Sequence, residues 1–106
     1  MFGSLGELAG LMKKMSEMQS KMKKIKKELE ELNVTGCSSN GAVQITISGD
    51  MSAVRNVHIA ENLSAAEMEL SVGEAVANVI NNAKMESAKR LSEATGGMDL
   101  SALGLQ

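Results

Sequence analysis

Apolar residues recur at alternating steps of three and four from Leu8 onward, at Leu8, Leu11, Met15, Met18, Met22, Ile25, Leu29 and Leu32. Polar and charged side chains occupy most positions between them. These four heptads with apolar a and d positions predict one long helix over residues 4–32, with a narrow seam of the coiled-coil kind. Ser4 and Glu7 have capping-box spacing at its start. Gly10 falls at an outer position and weakens only the first turns.

The period then changes from helical to alternating. Val43, Ile45 and Ile47 alternate with Gln44 and Thr46, which predicts a strand with one apolar face. Asn40-Gly41 just before it favours a tight hairpin turn, so Val34 to Ser38 forms the preceding strand. Gly49-Asp50 breaks the chain, and Ala53 to Ile59 forms a third strand with Val57 and Ile59 expected inward. Short turns make residues 34–59 an antiparallel three-stranded meander.

Ser64 and Glu67 repeat the capping-box spacing, and no proline interrupts the chain from there to Thr95. Met68, Val72, Ala75, Val76, Val79, Ile80 and Ala83 give this second helix, residues 64–95, an apolar face wide enough to cover a sheet. Gly96-Gly97 ends it and opens a flexible tail over residues 96–106. The expected fold is α/β of the α+β type, ordered α-β-β-β-α, in a single domain of 106 residues.

Length adds a further expectation. At 1.5 Å per residue the helices reach about 43 and 48 Å, whereas strands of this size span only about 20–24 Å. Both helices overrun the sheet. Their overhanging parts, residues 4–25 and 84–95, are expected to lie antiparallel as a projecting arm. Phe2, Leu5 and Leu8 would meet Met98, Leu100, Leu103 and Leu105 at its tip, an apolar cluster suited to contact with another protomer or protein.

Composition narrows the function classes. Phe2 is the single aromatic residue, so aliphatic side chains and nine methionines must fill the core; that favours packed helices or a dimer. With one cysteine and one histidine, no disulfide and no Cys/His zinc cluster can form within the chain, and no cofactor is called for. A free thiol without a signal-peptide pattern suits a reducing cytosol, and no apolar run approaches a membrane span. Cys37 and His58 fall on the outer strands of the meander at roughly 10 Å without an orienting third group, a poor nucleophile and base pair. The chain reads as a binding or structural protein and not an enzyme.

Charge is segregated. The net is −2, but residues 1–27 carry Lys13, Lys14, Lys21, Lys23, Lys24, Lys26 and Lys27 against Glu7 and Glu17, a net of +5. Residues 84–95 add Lys84, Lys89 and Arg90 against Glu86 and Glu93, a net of +1. Residues 28–83 hold Arg55 against eight acidic residues, a net of −7. Lysine is a flexible point charge suited to phosphate, and neither interleaved aromatics nor a base-reading Arg and Asn set accompanies it. Any nucleic acid bound is therefore expected to be duplex DNA, held by its backbone with weak sequence preference. The bland reading is that these lysines only solvate a helix. Asn78, Asn81 and Asn82 are poor helix-interior residues. They suit hydrogen bonds to the sheet, bonds across a dimer, or solvent, and the sequence does not choose.

The chain resembles the YbaB/EbfC family of bacterial nucleoid-associated proteins. The resemblance runs through Met1-Phe2-Gly3, Leu11-Met12-Lys13, Met18-Gln19, Lys21-Met22 and Val34-Thr35-Gly36. It continues through Asn40-Gly41, Gly49, Val57-His58-Ile59, Ala77 to Ala83 and Gly97-Met98, and so spans nearly the whole chain. It implies a two-fold dimer whose helical arms project like tweezers, binding DNA in the bacterial nucleoid with influence on its organisation and on gene expression. Ten residues are the candidate contacts: Lys13, Lys14, Lys21, Lys23, Lys24, Lys26, Lys27, Lys84, Lys89 and Arg90. The alternative, from another class, is a coiled-coil chaperone or adaptor resembling prefoldin, gripping apolar protein segments with its arm tips.

Overall fold

The computed structural model describes residues 5–95. Helix α1 (Leu5–Glu31) leads into strands β1 (Asn33–Cys37), β2 (Val43–Ser48) and β3 (Val54–Ile59), and helix α2 (Ala65–Thr95) comes last. The strands form one antiparallel sheet in the order β1-β2-β3. Architecture and element order agree with the alternating periods of the sequence, and Ser4 of the first capping box lies outside the described residues.

Local chemistry explains each change of direction. At the end of α1, Arg55 on β3 donates a guanidinium hydrogen bond to the Glu30 carbonyl. A cation thereby sits where the helix leaves carbonyls without partners and carries partial negative charge. The β1–β2 connection is a hairpin, as Asn40-Gly41 suggested, closed over four residues: Ser38 N–H bonds to the Val43 carbonyl across it. The Asn40 side chain accepts the Ala42 N–H at 3.0 Å, and Gly41 takes φ +73°, a left-handed conformation that costs glycine nothing. Ahead of α2, Ser64 Oγ accepts the Glu67 N–H at 3.1 Å and donates to the Glu67 carboxylate, as the spacing predicted.

The core lies between the sheet and α2. Val34, Val43, Ile45 and Ile47 from the sheet meet Ala75, Val79 and Ala83 from the helix, with Leu32 and Val72 packed at the margin. Small residues on α2 let the backbones approach closely. A Cβ built on Gly36 would stand 2.3 Å from the Val79 nitrogen and 2.5 Å from its Cα, so β1 accepts no side chain there.

Two expectations need correction. Val57 and Ile59 do face the core side, opposite Ile45 and Val43, yet they are 52% and 37% exposed. The reason is that α2 lies over β1 and β2 and leaves β3 uncovered. The seven-residue apolar face of α2 is correspondingly split. Ala75, Val79 and Ala83 are buried, whereas Met68, Val76 and Ile80 remain exposed.

The molecule is elongated, 71 × 22 × 16 Å. Ile25 and Leu29 of α1 are buried. The last turns of α2 run beside them: Arg90, Glu93 and Ala94 border a groove shared with Lys21, Lys24, Ile25 and Glu28. The antiparallel arm is present, but the two helices do not share its full length. Helix α2 has spent its first half on the sheet and draws level only with Lys21. Farther out, Leu8, Leu11 and Met15 on the expected seam are more than half exposed, and the seam is unfilled there. Phe2, Met98, Leu100, Leu103 and Leu105, the other members of the expected tip cluster, lie outside the described residues.

Candidate nucleic-acid interface

The candidate cations sit on the two long helices. All seven lysines of α1 are exposed, as are Lys84 and Lys89 on α2. Lys13 and Lys14 stand on the outer half of α1, beyond the reach of α2, while Lys21 and Lys24 border the groove between the helices. Lys23 and Lys26 flank the apolar side of the arm with Met22, Leu29 and Leu91. Lys27 is the last basic residue of α1, and Lys89 adjoins Asn82, Met85 and Glu86 on the outer surface of α2. Helix α1, 27 residues and about 40 Å long, carries seven lysines against five glutamates, and its outer part projects beyond the sheet.

Arg90 is engaged differently. Its guanidinium pairs with Glu28 on α1 and with Glu86 one turn back on its own helix, each at 3.1 Å. The first pair ties the two helices of the arm together at the point where they leave the sheet. Two of its donating nitrogens are committed to carboxylates, which sets it apart from the exposed lysines.

Glu7, Glu17, Glu28, Glu30 and Glu31 share α1 with the lysines, and other acidic residues are engaged around the sheet. Glu74 accepts from Ser39 at the hairpin, Glu67 serves the start of α2, and Asp50 closes the β2–β3 turn. In that turn the Asp50 carboxylate accepts from the Ser48 and Ser52 hydroxyls and the Ser52 N–H, which lowers its pKa from 3.8 to about 2. Asp50 also lines the apolar pocket that Lys23 and Lys26 flank.

Side chains that the sequence left unassigned also find places. Asn78 donates to the Cys37 carbonyl at 2.7 Å and Asn82 to the Thr35 carbonyl at 3.0 Å. One turn apart on α2, they occupy carbonyls along the outer side of β1. Asn81 turns instead to Met85 on its own helix. No sequence signal chose between sheet and solvent for these amides, because the answer depends on which flank of α2 overhangs which edge. Cys37 and His58 lie in one cross-strand row with Gln44 between them, so two strand spacings, about 10 Å, separate them. Among the described residues, no group of three or more His, Cys, Asp or Glu side chains could hold a metal ion, and no helix is long and apolar enough to cross a membrane.

Comparison with known proteins identifies relatives of the chain. The chain is 30% identical over 105 residues to a nucleoid-associated protein of Prochlorococcus marinus subsp. pastoris, covering 96% of this chain and 90% of that one. It is 30% identical over 108 residues to nucleoid-associated proteins of two Synechococcus strains, covering 98% of this chain and 96% of each of those. The pattern that defines one family of such proteins matches residues 5–98, which include the whole sheet and both helices. The chain belongs to the YbaB/EbfC DNA-binding family.

Proposed function

We propose that this protein is a homodimer that binds duplex DNA through the lysines of its projecting arms and acts in the bacterial nucleoid, within the cytoplasm. The observation that carries the reading is the separation of charge along a 71 Å molecule. The outer part of α1, through Lys27, bears seven exposed lysines against Glu7 and Glu17, and residues 28–83 carry a net of −7. Family membership and the names of the relatives support DNA as the partner. Duplex DNA presents one phosphate per about 1.7 Å of axis, so a straight cationic helix meets several phosphates without reading any base. Lys13, Lys14, Lys21, Lys23, Lys24, Lys26 and Lys27 make the principal contacts. Lys84 and Lys89 extend them, and Arg90 serves as brace as much as contact. Binding is stoichiometric, and no bond is made or broken.

The dimer rests on the uncovered face. Val54, Val57 and Ile59 of β3 and Val76 and Ile80 of α2 form an exposed apolar stretch beside a strand edge paired on one side only. A second copy covers both the side chains and the edge.

The test is fluorescence anisotropy with a labelled duplex of about 30 base pairs across a range of salt. Arm binding gives a log–log slope of about −3 to −6, near 0.9 per phosphate neutralised. Replacing Lys13, Lys14, Lys21, Lys23 and Lys24 by Gln flattens it. Absence of binding at low salt, by a chain of unchanged assembly, overturns the proposal. Salt-insensitive capture of unfolded protein through the exposed α1 seam then favours the chaperone reading.

A further inference from the structure

Helix α1 reaches far beyond the contacts that hold it. Ile25 and Leu29 are its buried residues, and every residue from Leu5 to Glu17 is exposed. From Glu31 back to Lys13 is eighteen residues of helix, about 27 Å, so a swing of about 10° at the base carries Lys13 through about 5 Å. Duplex DNA has one phosphate per about 1.7 Å of axis, so that shift changes which phosphates the outer lysines meet. The direction of the arm is therefore decided at the C-terminal end of α1, where the last carbonyls have no partner within the helix.

The sheet supplies those partners. Gly49, after β2, donates its N–H to the Leu32 carbonyl at 2.9 Å, and a Cβ built there would stand 2.9 Å from the Leu29 carbonyl. The Glu30 carbonyl accepts from the Arg55 guanidinium. Strands β2 and β3 pair in step from Val43 opposite Ile59 to Thr46 opposite Asn56, but the next pair is Ile47 with Val54. Arg55 is thus the extra residue of a β-bulge. An unbroken ladder would set it opposite Ile47, a buried core residue. With the bulge, Val54 takes that place and Arg55 reaches α1, the re-aiming of a side chain that bulges bring about. Arg55 is also the one lysine or arginine in residues 28–83, so a stretch that is otherwise acidic keeps its single cation for the end of the arm.

We propose that Arg55 is a positioning residue for DNA binding: from its bulge on β3 it holds the C-terminal end of α1 and so fixes the direction in which the arm presents its lysines. It acts through the Glu30 carbonyl and does not itself contact phosphate. The consequence for DNA affinity rests on the reading of the arm as a duplex-binding element.

The experiment reads the arm first without DNA, so its failure is distinct from failure of the DNA reading. Nitroxides are attached at Ser16→Cys on α1 and Gln44→Cys on β2, both exposed, in a Cys37→Ser background. Labelled chain is diluted into unlabelled chain, and pulsed electron–electron double resonance gives the distance distribution within one chain. Arg55→Ala is expected to broaden it by several ångströms. Arg55→Lys, which retains a cationic donor, restores most of the wild-type width. Arg55 is exposed, so neither substitution opens the core. In the duplex titration Arg55→Ala loses about three- to tenfold in affinity at every salt concentration, the range that one net hydrogen bond carries, with the log–log slope unchanged. An unchanged distance distribution in Arg55→Ala overturns the proposal. So does a lower salt slope for that variant, which makes Arg55 itself a phosphate contact. Absence of duplex binding by the wild type, with the distribution broadened in Arg55→Ala, overturns the DNA reading alone and leaves Arg55 as the residue that orients the arm.

Discussion

Gly36 is the residue on which the packing of sheet and helix is most finely set. Its missing Cβ admits the backbone of Val79, since an added carbon would lie 2.3 Å from a main-chain nitrogen. Gly36→Ala is expected to destabilise the fold by about 3 kcal/mol, the upper range for overpacking, because main chain and not a movable side chain must yield. Denaturant unfolding measures this, and Val79→Ala in the same chain fails to restore stability. Asp50 supplies a second residue-scale test. Its carboxyl pKa is about 2 in the folded state against 3.8 as the ordinary value, so the folded form binds fewer protons between these limits. Its stabilisation is complete above about pH 4 and is lost as the pH falls through 2. The difference in melting temperature between wild type and Asp50→Asn is expected to shrink over that window and to be constant from pH 5 to 7.

At the scale of elements, the two edges of the sheet are treated differently. Along β1, Asn78 and Asn82 donate to the Cys37 and Thr35 carbonyls, occupying groups that would otherwise invite another strand. β3 is exposed at every position. Replacing both asparagines by Ala is expected to cost about 1 kcal/mol per hydrogen bond and to produce species larger than wild type in light scattering. The same contrast separates the features legible in the sequence from those that were not. Local signals worked: the heptad steps gave α1, alternation gave β2, and Ser64 with Glu67 marked the start of α2. The Ser64→Ala change should cost about 1 kcal/mol in thermal unfolding. Relations between elements were not written locally. Val57 and Ile59 alternate as core residues do, yet their exposure is decided by α2 lying toward β1. The same displacement decides that two asparagines meet carbonyls while Val76 and Ile80 stay exposed. The lysine row of the candidate site was legible because charge segregation is a property of composition along the chain. That Arg90 would bind Glu28 depended on helix registry, which no period in the sequence records.

For the whole molecule, one arm and one uncovered apolar face coexist in each chain, and the proposed function links them. If the β3 and α2 surface joins two copies, the assembly carries two cationic arms; if it does not, each chain meets DNA with one. Val57→Asp with Ile80→Asp tests this without disturbing the core, because both side chains are exposed in the single chain. The expected result is half the wild-type mass by sedimentation equilibrium, with circular dichroism unchanged. Counterion release then sets the outcome of the DNA titration. Each neutralised phosphate contributes about 0.9 to the salt slope, so loss of one arm of two should halve the slope and weaken binding most at low salt. Unchanged mass with both aspartates present places the contact between copies on another surface. A monomer that keeps the full slope assigns all phosphate contacts to a single arm, with the dimer serving to join two DNA segments.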